Sequence, residues 1–564
     1  RMFSTGYAAI EPIKGLKLKE TLSYDYTIQK DSRYYNPLSS AGPKSGSDAQ
    51  TAKGFIEYGK LISSTSLNYV RTFAHKHHLD VLAAYEIESY QTDHASGEKS
   101  KLPSDKLTEP DNAAVLNSFK SATQAYRMIS YLSRLNYDYD DRYYIAGSYR
   151  RDGSSRLSPN NRWGNFWSVS GMWHLGNENF MKAVKPVLSD VKIRASYGVN
   201  GNQPGSYYGY KGLYSYGENY MEAAGSYESA QPNDLLTWEK NYSLNLGIDL
   251  SFINRIFASL EYYNRDTKDL LYSLPISATT GFTSYLSNIG RLNNKGVEFE
   301  LRTLNVVSND FNWTSVFNLS HNRNKIVSLN GLLDQTIEGT WFIHKVGLPY
   351  HTFYVKEFAG VDPLTGSAQY YLNTKNEDGS YNRELTTDAA KAESIPYKTA
   401  TPKVSGGFTN ILNYKWIDLT FTLTYSLGGY SFDKLGTYIE NGSSSIYSSR
   451  YNLPAYMMNR WQKPGDQTDT PRFVYGEPAT STNSSRYIHS TDHLRLKNFT
   501  LGFTLPNQWT QKLMIDKVRV YFSGNNLLTW AKWKQYDPET PVNGEVFCEA
   551  PAMRTFSFGA QLSF

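Results

Sequence analysis

The sequence predicts an all-β fold, an antiparallel transmembrane β-barrel with short periplasmic turns and long extracellular loops. Three observations predict it. Apolar and polar residues alternate with period 2 along much of the 564-residue chain. The links between the alternating segments are, in order, short and then long. The composition holds 46 Tyr and 41 Gly but no run of about 20 apolar residues that could cross a bilayer as a helix. Only helices and closed barrels satisfy their backbone groups in lipid, so a membrane chain of this composition is a barrel. Tyrosine excess fits the aromatic girdles of such barrels.

The alternation is explicit in several stretches. Val191, Ile193, Ala195, Tyr197 and Val199 alternate with Lys192, Arg194, Ser196, Gly198 and Asn200. Tyr242, Leu244, Leu246, Ile248 and Leu250 do the same with Ser243, Asn245, Gly247, Asp249 and Ser251, as do Ile417, Leu419, Phe421, Leu423 and Tyr425 with their polar neighbours. A soluble sandwich would turn the apolar face to a core, whereas a membrane barrel turns it to lipid and lines its lumen with the polar face. Alternation alone leaves both open.

The links separate them. About seventeen strands are expected, near 2–10, 15–26, 60–73, 78–90, 124–139, 141–152, 163–176, 189–200, 240–253, 255–268, 288–304, 310–325, 403–413, 416–430, 489–505, 517–527 and 554–564. Links 11–15, 74–77, 140, 254, 305–309, 414–415 and 506–516 are short. Links 27–59, 91–123, 201–239, 269–287, 326–402, 431–488 and 528–553 are long, and 153–162 and 177–188 are intermediate. This rhythm belongs to outer-membrane barrels, and a sandwich has no reason to keep it. An odd count does not close an antiparallel barrel, and the chain opens on Arg1 with neither an initiator Met nor a signal peptide. An incomplete barrel with residues missing upstream is therefore the expectation.

Net charge is +5 from 58 basic and 53 acidic residues, too mild a balance to imply nucleic acid. The one cysteine, Cys548, excludes an internal disulfide and a cysteine-based zinc site. GxSxG, HExxH and GKS motifs are missing, so no catalytic residue and no cofactor is assigned. Glu298 and Glu300 share one strand face, which is ordinary wall chemistry for a polar lumen. At the chain end, Phe556, Phe558, Ala560, Leu562 and Phe564 alternate with Ser557, Gly559, Gln561 and Ser563. This resembles the terminal strand by which barrels are handed to the outer-membrane insertion machinery. Phe556, Phe558, Leu562 and Phe564 are the expected assembly signal. A last strand running down to the periplasm places the long links outside the cell.

Several segments together resemble SusC/RagA TonB-linked outer-membrane proteins of Bacteroidota. They include YLSRLNYDYDDRYYIAGSYRRDGSSRLSPNNRWGNFWSVSGMWHLGNENFM at 131–181, VKIRASYGVNGNQ at 191–203 and LTWEKNYSLNLGIDLSF at 236–252. LEYYNRDTKDLLYSLPISATTGF at 260–282, NIGRLNNKGVEFEL at 288–301, NRWQKPGDQTDTPR at 459–472, HLRLKNFTLGFTLP at 493–506 and VRVYFSGNNLLTWAKWKQYDPE at 518–539 follow in the family's order. The resemblance covers nearly the whole chain, as one domain over 1–564. It implies a barrel of about 22 strands, of which these residues supply about 17. It implies import of glycans or peptides, with a SusD-like surface lipoprotein as lid and TonB–ExbB–ExbD as energy source. The TonB box and plug of the family do not precede Arg1, so this chain is expected to supply lumen wall, outer loops and lid contacts. A passive porin is the alternative, and a soluble carbohydrate-active β-protein is a more distant one.

Candidate ligand contacts lie in the long links. Tyr207, Tyr208, Tyr210, Tyr214, Tyr216 and Tyr220 crowd one loop, and aromatic rings offer flat apolar faces with a polar handle to an oligosaccharide or peptide. Trp341 and Trp461 stand in the two longest links. Trp167 and Trp173 share an apolar strand face with Val169 and read as girdle residues. The run HKHH at 75–78 falls in a short turn, where polar residues are expected without a metal. GVDPLTG at 360–366 and EDGS at 377–380 read as turns rather than calcium loops.

Overall fold

A computed structural model describes residues 1–36, 49–104, 106–329, 335–338, 341–440, 452–474, 482–510, 515–539 and 543–563. Seventeen long segments join one antiparallel sheet. They are β1 (Met2–Ile13), β2 (Leu16–Tyr35), β3 (Gln50–Phe73), β4 (His77–Ser100), β5 (Val115–Tyr139), β6 (Tyr143–Ser154), β7 (Trp163–His174), β8 (Leu188–Asn202) and β9 (Glu239–Phe252). Then follow β10 (Ile256–Lys268), β11 (Arg291–Val307), β12 (Phe311–Ser328), β13 (Val404–Tyr414), β14 (Ile417–Leu427), β15 (His493–Thr504), β16 (Lys517–Ala531) and β17 (Thr555–Ser563). Each of the seventeen expected segments becomes a strand. Among the described residues no helix is long and apolar enough to cross a membrane.

The chain packs as two units. One comprises residues 1–174, 194–244 and 267–289, and the other residues 175–193, 245–266 and 290–564. In the first, β1 to β7 form an up-and-down meander, each strand pairing with its sequence neighbours. The tight turns have a local cause. Ala74 and His75, and again Asp140 and Asp141, take φ values between 47° and 59°, and two successive left-handed residues give the hairpin turn whose twist matches the strands. In the second unit β11, β12, β13, β14, β15, β16 and β17 continue in the same manner.

Strands β3, β4 and β5 hold 24, 24 and 25 residues, about twice the 9–11 that cross a bilayer. All three are longer than the expected segments, which start β3 at 60, end β4 at 90 and start β5 at 124. The distal stretch of β3, QTAKGFIEYG at 50–59, keeps no strict alternation, yet its register with β4 is unbroken from Phe73↔His77 to Gln50↔Ser100. Alternation is imposed by two different environments on the two faces. Where the two faces do not differ, the backbone ladder and polar cross-strand pairs such as Ser100 with Asn117 carry the strand.

Burial is inverted across the sheet. On one face of the first unit Leu61, Tyr85, Tyr131, Leu135, Ile145 and Val169 are exposed, Ile145 by 58% and Val169 by 53%. The other face carries charge, yet Glu88 and Asp152 are only 8% and 7% exposed. A protein folded in water does the reverse. A sheet whose apolar face meets lipid does this.

Conventional cores sit instead in the long links. In the second unit Phe353, Val355, Ala400, Phe432, Tyr487 and Ile488 form one, and Ala368, Tyr370 and Ala392 another. They are held by short sheets such as Tyr430–Asp433 between Ile488–Ser490 and Glu545–Val546. The turn readings of GVDPLTG and EDGS match the geometry. Asp362 accepts from the Leu364 amide and the Thr365 hydroxyl, and Asp378 from the Ser380 amide and hydroxyl. Those bonds hold both carboxyls below the ordinary carboxylate range.

Candidate lumen-wall site

A recess of about 670 Å³ opens on the polar face of the first unit, walled by β5, β6, β7 and β8. Register explains its lining. Leu132 lies opposite Arg150, Arg150 opposite Phe166, and Ser148 opposite Ser168, so all five share one face. The floor is apolar. Phe166 is buried with Leu157, Leu236 and Trp238, meeting Trp238 edge-on at 5.3 Å. The Trp238 indole N–H donates to the Arg162 carbonyl at 2.9 Å, which satisfies its polar atom. Gly164 and Gly201 admit the Phe166 ring, because a Cβ there would lie 2.4 and 2.1 Å from it.

The charges on this wall are paired. Arg150 Nε donates to both Asp152 carboxylate oxygens at 2.7 and 2.9 Å, and Nη2 donates to Ser130 Oγ at 2.9 Å and Glu86 Oε1 at 3.4 Å. Nearby, Lys60 Nζ lies 3.0 Å from Glu88, which also accepts the Tyr126 hydroxyl. Amides complete the lining. Asn202 donates to Glu239 at 2.8 Å, Gln203 accepts from Ser154 at 2.6 Å, and Asn200 is exposed on the recess wall. An apolar floor, paired charges and amides can hold an uncharged polar ligand without leaving a buried charge unmatched.

The Tyr-rich loop folds against the same unit. Tyr207 stacks on Tyr90 at 6.1 Å and on Tyr126 at 5.7 Å. The Arg156 guanidinium lies 4.0 Å from the Tyr126 ring centre and 4.6 Å from that of Tyr207, and it donates to the carbonyls of Pro204 and Gly205. The Tyr208 hydroxyl accepts from the Ala125 amide at 3.2 Å, and Tyr210 packs against the Leu157 cluster. Tyr214 and Tyr216 instead stand 59% and 77% exposed on a hairpin of Leu213–Tyr216 with Ser226–Ala230. Tyr220 is exposed as well.

In the second unit the two tryptophans hold loops together. Trp341 stacks on Phe432 at 4.7 Å with Lys434 over its ring. The Trp461 indole N–H donates to the Pro363 carbonyl at 2.9 Å, and its ring lies against Gly366. The structure thus brings Tyr207, Tyr208 and Tyr210 into the fabric of one wall and leaves Tyr214 and Tyr216 open. It gives Trp341 and Trp461 separate packing tasks. On β17, Phe556, Phe558 and Leu562 are exposed on one face, and the Phe522 ring stacks on Phe556 and lies tilted against Phe558. Phe564 lies outside the described residues.

Sequence reasoning missed Arg150, Asp152, Asn200, Asn202 and Trp238. A signal for the first two existed. Arg150 and Asp152 are two apart on a strand, hence on one face, and an acid–base pair on the polar face marks a wall that needs internal neutralisation. Trp238 gave no such signal, since only the fold brings it to Phe166.

Comparison with known proteins agrees with this architecture. The family described as "TonB dependent receptor-like, beta-barrel" matches residues 2–527. TonB-dependent receptor P3 of Formosa agariphila is 30% identical over 594 residues, covering 99% of this chain and 57% of the relative. TonB-dependent receptor SusC of Bacteroides thetaiotaomicron is 31% identical over 501 residues, covering 84% of this chain and 47% of its own length. The chain therefore spans about half the length of these curated relatives. A solved structure of the RagAB peptide transporter superposes with a TM-score of 0.89 at 28% identity, covering 100% of this chain and 61% of that one. The chain belongs to the TonB-dependent receptor β-barrel family, with SusC and RagA-type proteins among its relatives.

Proposed function

We propose that these residues form barrel wall and outer loops of an outer-membrane importer of glycans or peptides. A SusD-like surface lipoprotein would cover its mouth, and TonB–ExbB–ExbD would drive it through other segments of the full-length receptor. The observation that carries this reading is the inverted burial of the sheet together with a recess on its polar face, a wall suited to lipid outside and cargo inside. The relatives add the class of cargo, since one is SusC and another a peptide transporter. No catalytic role is proposed, and no nucleic acid. Exposed Phe556, Phe558 and Leu562 support an assembly role for β17 with the barrel-insertion machinery, and Tyr214 and Tyr216 support contact with cargo or lid.

The test uses the full-length receptor in its own cells, with uptake of fluorescent oligosaccharides and of peptides measured separately. Uptake by either class that vanishes on disruption of TonB supports active import. Uptake that persists without TonB identifies a passive porin. Gly201→Val locates the path, because its Cβ would fall 2.1 Å from the Phe166 ring and force that ring from its place. Uptake by this variant should fall while its abundance in outer membranes holds.

A further inference from the structure

One group of side chains on the polar face of the first unit has ligand chemistry that the recess does not use. His78 stands near the start of β4, Asp138 lies directly opposite it in β5, and Asp141 sits in the turn to β6. One ligand atom from each of the three lies within 4.8 Å of the others. A single cation with ligands at about 2.0–2.2 Å gathers atoms to such spacings.

The surroundings sharpen the case. Asp141 Oδ1 accepts from the Tyr144 hydroxyl at 3.5 Å, which fixes that carboxylate beside Asp138. Asp138 Oδ1 is shut away from solvent and has no hydrogen-bond partner among the described residues, a condition that costs free energy unless something positive meets it. His78 is oriented through its other nitrogen. Its Nδ1 lies 2.8 Å from the Thr72 hydroxyl, which leaves Nε2 for a metal. Imidazoles that bind metals are held in this way. The remaining histidines of the 75–78 run are elsewhere. His75 occupies the turn with φ 59°, and His77, on the opposite strand face, bonds the Tyr137 hydroxyl.

We propose that His78, Asp138 and Asp141 form a divalent-cation site that clips the β3–β4 hairpin to the β5–β6 turn. One imidazole and two carboxylates suit a zinc-class ion completed by water. The nitrogen ligand disfavours magnesium and calcium, which take oxygen. The site lies at the short-turn end of the sheet, where a metal would add to the His77–Tyr137 bond and the Lys76–Asp140 pair that already link the two hairpins.

The test titrates Zn²⁺ alone into the detergent-solubilised full-length receptor, stripped with EDTA and free of a histidine tag, and counts bound metal per chain. The native protein should hold one equivalent more than His78→Ala and Asp138→Asn. Thr72→Val should retain the site with apparent affinity weakened about 10–100-fold. His75→Ala and Asp140→Asn should bind as the native protein does. Hydrogen exchange gives a second readout independent of any variant's folding. In the native protein, Zn²⁺ should slow exchange at residues 74–80 and 138–144. Equal stoichiometry in native and His78→Ala proteins, loss in His75→Ala instead, or exchange at those turns indifferent to Zn²⁺ overturns the proposal.

Discussion

Acidification should loosen the outer-loop core around Phe353 and Phe432, and one substitution should make that loosening worse. His344 is fully buried in the strand Phe342–Lys345, stacked on Tyr350 at 4.2 Å. Burial pushes its pKa down to about 4 from 6.5. The folded loop therefore holds it neutral, and stability present above pH 6.5 is lost as pH falls toward 4. At about 1.4 kcal/mol per pH unit, that loss is about 3 kcal/mol. His489, stacked on Trp533, shifts in the same direction, through burial first and Arg486 second. Asp433 acts oppositely. Burial raises its pKa to about 6 from 3.8, against the Gly436 amide bond that lowers it. Its stabilising form is the neutral one, present below pH 3.8 and lost as pH rises through 6, so acidification returns about 3 kcal/mol. His344 and Asp433 nearly cancel, and His489 leaves a net acid loss. Asp433→Asn keeps an oxygen for the Gly436 amide but removes the compensation. Exchange protection of residues 342–356 and 430–440, corrected for intrinsic rates at pH 7.0, 5.5 and 4.5, measures the effect. Between pH 7.0 and 4.5, protection in Asp433→Asn should fall on the order of twentyfold further than in the native protein, while His344→Phe should flatten the profile. An acid loss in Asp433→Asn equal to or shallower than native refutes the reasoning.

Other expectations are simpler. Arg495→Ala leaves Asp537 and Glu539 without the nearly buried guanidinium that pairs with both; at about 3–5 kcal/mol for a broken buried pair, residues 532–539 should become protease-sensitive, and native-like cleavage kinetics would count against it. Arg156→Ala removes the cation that caps Tyr126 and Tyr207 together with two carbonyl contacts. About 1–3 kcal/mol of loop anchoring should go, read as faster tryptic cleavage at Lys211. Phe166→Ala should lower the melting temperature of detergent-held receptor through a loss of about 3–5 kcal/mol, more than Phe558→Ala, whose ring is 83% exposed.

The strands were legible and the site largely was not, for one physical reason. Lipid on one face and water on the other write alternation into β6, β7, β8 and β14, and left-handed residues such as Asp140 and Asn254 mark the turns between them. Once a strand leaves the bilayer the two faces no longer differ. That is why the distal halves of β3, β4 and β5 went unread. The recess depends on register, since Arg150 meets Phe166 across β6–β7 and Trp238 comes from far along the chain. The tyrosines were visible as residues, but their partners Tyr90, Tyr126 and Arg156 were not. A ring that looks available in sequence can thus be spent on packing, as Tyr207 and Trp341 are.

The two kinds of surface should therefore answer substitution by opposite rules. In the loops, Phe353 and Phe432 are buried as in a soluble domain, so truncation there costs contacts and a cavity. On the sheet, Ile145 and Val169 keep more than half of their surface open, so truncation removes little that the protein itself provides. What these residues supply is compatibility with hydrocarbon. Ile145→Ala should leave the isolated receptor in detergent nearly as stable as before. Ile145→Lys should cost up to about 2–4 kcal/mol in a bilayer, if the residue sits near the midplane, and should lower the amount of folded receptor recovered from outer membranes. If alanine proved as damaging as lysine at position 145, the apolar face would be packing against protein. The lipid-facing assignment of the sheet would then have to be given up.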